Sequence, residues 1–404
     1  MLFKEIPAGF KKYFKPFKKK LSKKQIKHFS TYVTGLIVCD NKTIQEINDN
    51  LSDTNQSSLN RFLTLSQWDT KKIDHIRLNQ IKKKTKPKKG IAIFDPTFIH
   101  KTWKHMEKVS YQRSGVTKKK ELGFIFVDSL YVEENNSFPI AGDFYVPKNE
   151  TDEDNPFRTQ RQICIDQLHY ALEQKLPIWL VMIDAGLYAD FFLQEIKSLE
   201  LKYIAGVRTT NSISINGQKR ISIWEYLNTL TDNDFQYHFI KGKAYWLHTL
   251  EINTRGVGKE KLLISYKSGG EEEIKIYTTN ILDKEDKDLM NFLVRRWDIE
   301  CLHRDAKQHL GLEDYQVRKF GAMQKVACAV LVAYTLLVLC KKTLGILMRI
   351  QTMFKRGLKT IGELCRFMQI VAQKGWRWII RKARDPGLLR EILNKHVLVK
   401  NAKV

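Results

Sequence analysis

PIWLVMID (residues 177–184) decides the fold of this chain. From Ile178 to Ile183 no polar residue interrupts it, and it ends on Asp184. A strand with one wet face alternates apolar and polar residues. An unbroken apolar run of this length is buried on both faces, as in the middle of a parallel sheet with helices above and below. The flanks supply those helices. A helical pattern covers 156–175, with Asn155 as its cap and Pro156 at the first turn, and another covers 188–200. KYIAGV (202–207) is the next strand. Upstream lie three more β-rich runs: GIAIF (90–94), ELGFIFVDSLYV (121–132) and PIAGDFYVP (139–147).

Three strands, a helix, a strand, a helix and a strand make an α/β chain in the order of a ribonuclease-H-like core. Between 208 and 285 the pattern alternates and turns like an antiparallel sheet, so the core is read as interrupted by a β-rich insertion. A helical face resumes over 286–310, and the chain is helical after 320. The expected organisation is a helical DNA-binding region (1–85), a first core segment (86–207), the insertion (208–285), a second core segment (286–320) and a helical C-terminal region (321–404).

The N-terminal region opens with nine lysines between Lys11 and Lys27, interleaved with Phe10, Tyr13, Phe14 and Phe17. This reads as a flexible basic arm that tracks phosphates, or as a solvated tail. Thr43 caps one short helix and Thr54 or Asn55 a second. The pair suggests a helix-turn-helix with Ser57, Ser58 and Arg61 on the reading helix. KKKTKPKKG (82–90) reads as a linker.

Composition narrows the partners. The 404 residues include 69 basic and 44 acidic ones, a net charge of +25, which points to a polyanion and to nucleic acid before a membrane surface. Six scattered cysteines with no C-x-x-C pair argue against a disulfide framework or a zinc site and fit a reducing cytoplasm. The longest uncharged apolar stretch, Val326–Cys340, is shorter than the ~20 residues a membrane span needs and reads as a buried helix.

The chemistry collects in three acids. Asp95 and Asp184 end two buried runs whose strands are neighbours in this topology. The third is Glu300, in RWDIECLHRDAKQHLGLEDYQVR (296–318). At about 100° per residue, Arg296, Glu300 and Lys307 fall within roughly 40° of one helical face. Leu289, Phe292, Leu293, Ile299 and Leu310 share or border that face, while Asn291, Asp298, Asp305 and His309 lie opposite. Convergent carboxylates repel one another unless cations stand between them, and oxygen-only ligands suit Mg²⁺ or Mn²⁺, here two ions. Plainer readings stand beside these: Asp95 or Asp184 as a turn former or cap, and Glu300 as an i,i+4 partner of Arg296.

Those residues carry a resemblance. The chain resembles DDE-type transposases of bacterial and archaeal insertion sequences, in the insertion-sequence-four superfamily. Their signature sets tyrosine, arginine, glutamate and lysine with two, three and six residues between successive members. Arg296, Glu300 and Lys307 keep that spacing, and Leu293 stands where the tyrosine belongs. FDPT at Asp95, VMIDAGL at Asp184 and the β-rich insertion match as well. The resemblance implies cut-and-paste transposition on double-stranded DNA, namely the element's terminal inverted repeats and a target. It implies catalytic, metal-holding Asp95, Asp184 and Glu300, phosphate contacts from Arg296, Lys307 and Arg318, and a homodimer in the synaptic complex. Trp297, Trp224 and Trp246 are candidates for stacking on a flipped base, or core residues. Two other functions are open on the residues alone: a ribonuclease-H-like nuclease acting on structured nucleic acid, and a DNA-binding relative without activity.

Overall fold

The computed structural model describes residues 8–343 other than 53, 116, 135, 241 and 268–273, then 358 and 360–374, with a few isolated positions beyond. The N-terminal lysines do not form a loose arm over the described residues 8–30. Helix α1 (Ala8–Phe14) and a 3-10 turn (Lys15–Lys19) lead into α2 (Lys23–Val38), which Ser22 and Gln25 open with a reciprocal capping box. The aromatic spacing explains the order: Phe10, Tyr13, Phe14 and Phe17 point one way and are buried, with Phe14 and Phe17 against Phe29. The lysines between them face solvent.

Helices α3 (Ile44–Leu51) and α4 (Gln56–Thr64) follow, capped by Thr43 and Asn55. Ser57 and Arg61 are exposed and Ser58 is half-buried. Helix α5 (Thr70–Thr85) runs through the first lysines of the expected linker, because Lys82, Lys83 and Lys84 suit a helix C-terminus; only 86–89 connect. Arg77 on α5 is fully buried. It bonds Asp74 (2.7 Å), the carbonyls of Pro139 (2.7 Å) and Ile140 (2.6 Å) and Thr335 Oγ1 (3.1 Å), tying the helical region to the sheet.

The sheet begins with β1 (Gly90–His100), a short β2 (Ser110–Arg113) that no apolar run announces, β3 (Lys120–Glu133) and β4 (Asn136–Tyr145). Helix α6 (Gln160–Glu173), capped by Thr159 rather than Asn155, leads to β5 (Ile178–Ile183), α7 (Asp190–Ser198) and β6 (Lys202–Gly206). Among the described residues only β1 with β5 and β5 with β6 pair in parallel, so β5 is the doubly buried strand that its composition demands.

The following segment holds β7 (Ser212–Ser214), β8 (Ile221–Ser222), a short α8 (Ile223–Leu227), β9 (Gln236–Ile240), β10 (Lys243–Thr254), β11 (Gly258–Lys267) and β12 (Lys275–Thr279). It continues the same sheet: β12 pairs antiparallel with β6, and the order runs β2-β3-β1-β5-β6-β12-β11-β10-β7-β8, with β4 on β3 and β9 on β10. A second small core gathers there around Ile213, Ile252, Leu262 and Ile264.

The helix expected over 286–310 is two helices, α9 (Asp286–Leu293) and α10 (Trp297–Leu310), joined by a 3-10 turn at 294–296. The side opposite the Glu300 face is covered too: Asp305 is buried where α10 meets the last described helices. These are α11 (Phe320–Thr343) and α12 (Ile361–Lys374). The apolar 326–340 stretch belongs to α11, which from Phe320 to Lys341 has the length and composition of a membrane span; 83% of its most apolar window is buried inside the protein. It packs on β4, α2 and α5.

Candidate active site

Asp95 and Asp184 come together for a topological reason. The parallel pairing of β1 with β5 ends at Phe94 opposite Ile183, so the next residue on each strand is an aspartate. Asp184 leaves the sheet there, its Oδ1 accepting from the Leu187 amide (3.0 Å). Arg161 of α6 holds the same turn by donating to the carbonyls of Gly186 (2.9 Å) and Leu187 (3.1 Å). Asp95 does not end its strand as expected. Its antiparallel partner β3 continues, setting Asp95 opposite Asp128 and carrying β1 on to His100.

Helix α10 crosses this point. Arg295 bonds Asp298 (2.8 Å) and donates to the Glu133 carbonyl (3.0 Å) at one end; Lys307 donates to the Phe98 carbonyl (2.5 Å) and pairs with Glu313 (3.0 Å) at the other. Between them Glu300 is in an ion pair with Arg296, the plainer i,i+4 arrangement. Arg296 also meets Tyr277 of β12 and feels the charge of Asp95. Leu293, in place of the signature tyrosine, is buried, and Tyr277 is the tyrosine that stands against Arg296.

One residue of α10 reaches the acids directly. His303 places Nε2 2.6 Å from Asp128 Oδ1 and Nδ1 3.9 Å from Asp95 Oδ2. Burial works to lower the His303 pKa; Asp128 and Asp95 outweigh it and hold the ring above its ordinary value. Burial pushes the Asp95 carboxyl up to about 7, helped by Asp184 and Asp128 and opposed by His303 and Arg296. His303 and Arg296 offset only part of what burial costs the Asp95 carboxylate. The oxygen donors of Asp95 and Asp184 fit a hard divalent ion. Among the described residues no three His, Cys, Asp or Glu side chains converge closely enough to enclose a metal, in keeping with Glu300 being turned onto Arg296.

Residues 16–222, about half of the chain and including both aspartates, match the family model of DDE superfamily endonucleases. The chain belongs to the DDE superfamily of endonucleases. A probable transposase for insertion sequence element IS701, from Microchaete diplosiphon, is 26% identical over 223 residues, which are 53% of this chain and 58% of that protein. The chain therefore spans a little over half the length of that curated relative. The NurA nuclease of Sulfolobus solfataricus aligns with 60% of this chain and 82% of its own at 10% identity, with a TM-score of 0.26, a likeness too slight to carry an argument.

The match of the chain to the family ends before α10, so the role of Glu300 rests on its spacing from Arg296 and Lys307. Arg318 stands over the ring of Trp103, 4.3 Å from its centroid, beside the loop that Glu107 pins to the start of α11. Trp297 at the first turn of α10 and Trp224 on α8 are exposed, as a stacking role requires; Trp246 packs between Tyr237 and Tyr266. His303 and Asp128 are absent from the residues that the sequence singles out. A signal for His303 exists: Arg296, Glu300, His303 and Lys307 are spaced four, three and four, a continuous stripe on one helical face. Nothing in the sequence pairs Asp128 with it.

Proposed function

We propose that this DDE endonuclease is an insertion-sequence transposase with a ribonuclease-H-like core, cleaving double-stranded DNA at its element's terminal inverted repeats and joining the 3′ ends to target DNA. The observation that supports this is the pair of aspartates that follow the last parallel pairing of β1 with β5, with α10 packed against β1 and β3 beside them. Asp95, Asp184 and Glu300 would supply hard oxygen ligands for two Mg²⁺ or Mn²⁺ ions, Glu300 by letting go of Arg296. Bound divalent ions there activate the attacking oxygen and stabilise the leaving one.

The chain's own groups do the rest. Arg296, freed from Glu300, takes a phosphate oxygen beside the scissile bond. Lys307, now on Glu313, is placed to exchange that carboxylate for phosphate. Exposed Arg318 and Trp297 sit where flanking DNA passes, and the basic surface draws the duplex in. Two ends must be held at once, which calls for a homodimer in the synaptic complex.

The test is cleavage of a plasmid carrying paired terminal repeats, with Mg²⁺ or Mn²⁺. Asp95→Asn, Asp184→Asn and Glu300→Gln each abolish cleavage while binding to the repeats persists. Cleavage surviving in any of the three removes that residue from the site. Nicking without strand-transfer products would leave a nuclease and refute the transposase.

A further inference from the structure

We infer that His303 is a metal ligand of the site built on Asp95 and that Asp128 holds it in that role; this rests on the metal-dependent reading above. The geometry is specific. A nitrogen and an oxygen bound to one divalent ion, each about 2.0–2.2 Å from it, lie ~3 Å apart at a right angle and ~4.3 Å apart when opposed. His303 Nδ1 and Asp95 Oδ2 are 3.9 Å apart, inside that range and too far for a hydrogen bond. The other ring nitrogen, Nε2, is 2.6 Å from Asp128 Oδ1. A carboxylate on the far nitrogen of a histidine is the arrangement that fixes the tautomer and ring plane of metal-bound imidazoles. It commits Nε2 to donating, so a neutral His303 has its free lone pair on Nδ1, the nitrogen nearer Asp95.

Burial sharpens the point. His303 and Asp128 are 9% and 1% exposed, so the dyad is not a surface ion pair that happens to be near. Asp128 is placed by the sheet itself, in register opposite Asp95, so both acids present to the same face of the β1–β3 pair. His303 follows Glu300 by three residues, so one turn of α10 offers a nitrogen and an oxygen to the same space. A bound ion between Nδ1 and Asp95 takes the place of the ion pair those groups make without it. His303 and Asp95 start the donor set; because no three such side chains converge yet among the described residues, a bound ion has to draw in Asp184, and Glu300 once it leaves Arg296.

The experiment is Mn²⁺ binding to the untagged full chain in the absence of DNA, read by electron spin-echo envelope modulation, which detects a directly bound ¹⁴N. Wild type shows nitrogen coupling. His303→Gln binds Mn²⁺ at least tenfold more weakly and loses the coupling; Asp128→Asn weakens binding by about 10–100-fold, as loss of an orienting partner does. Mn²⁺ bound by wild type with no nitrogen coupling, or coupling unchanged in His303→Gln, overturns the inference and leaves the carboxylate site standing. Asp95→Asn binding Mn²⁺ as well as wild type does would sink both. Should His303→Gln fail to fold, the wild-type and Asp95→Asn spectra decide between these outcomes.

Discussion

Replacing Asp95 with asparagine should make the metal-free protein more stable at alkaline pH, and the size of the effect follows from the site. Asp95 is buried among Asp184, Asp128, His303 and Arg296, and its carboxyl titrates at about 7 in the fold against an ordinary value of 3.8. A folded pKa above the unfolded one means that the native state binds the extra proton. The stability that Asp95 contributes is therefore complete below about pH 4 and is lost as the pH rises through 7. About three pH units at 1.36 kcal/mol each amount to ~4 kcal/mol between those limits. The asparagine side chain cannot ionise, so the difference in unfolding free energy, variant minus wild type, grows by about 3 kcal/mol of that from about pH 4.5 to pH 8. Urea unfolding followed by tryptophan fluorescence at both pH values, in chelator, reads the difference directly. Millimolar Mn²⁺ should flatten the wild-type dependence and leave the variant untouched. Parallel pH profiles for the two proteins would refute the account of Asp95 as a buried acid waiting for a cation.

Two further outcomes concern other regions of the molecule. Arg77→Ala strands Asp74, two strand carbonyls and Thr335, and should cost about 3–5 kcal/mol of stability; Asp74→Asn, which leaves Arg77 its other partners, should cost less than half of that, as compared by denaturant midpoints. Binding to terminal-repeat DNA should weaken steeply with salt, with a slope of log K on log salt of roughly −5 to −9 if ~6–10 phosphates are neutralised; a slope near −2 would deny the lysine-rich surfaces a role in binding.

How much of the fold is legible in residues alone depends on the distance over which each signal acts. The run at 178–183 announces a doubly buried strand because burial on both faces acts residue by residue, and β5 lies there. The caps Thr43 and Asn55 are legible for the same reason: a side-chain oxygen satisfies an amide three residues on. The end of β1 is not. Whether Asp95 terminates a strand depends on β3, some thirty residues away, and β3 keeps pairing after β5 has stopped. Asn155 and Pro156 resemble a helix start, yet Thr159 with Gln162 makes the stronger reciprocal cap and wins. The lysine-rich opening misleads because charge density hides the aromatic spacing beneath it. In the site, Asp95 and Asp184 are recoverable from where apolar runs end. The partner of His303 is not, since only the register of two antiparallel strands sets Asp128 beside it.

The antiparallel seam between β6 and β12 has an engineering consequence. Excising 208–285 to obtain a minimal catalytic unit would strip β6 of its neighbour, leaving a row of unsatisfied amides and carbonyls that invites intermolecular pairing. It would also remove Tyr277, which leans on Arg296. A truncated protein prepared that way should precipitate rather than work, and swapping this segment between relatives calls for joints placed in the turns beyond β12, never along the seam.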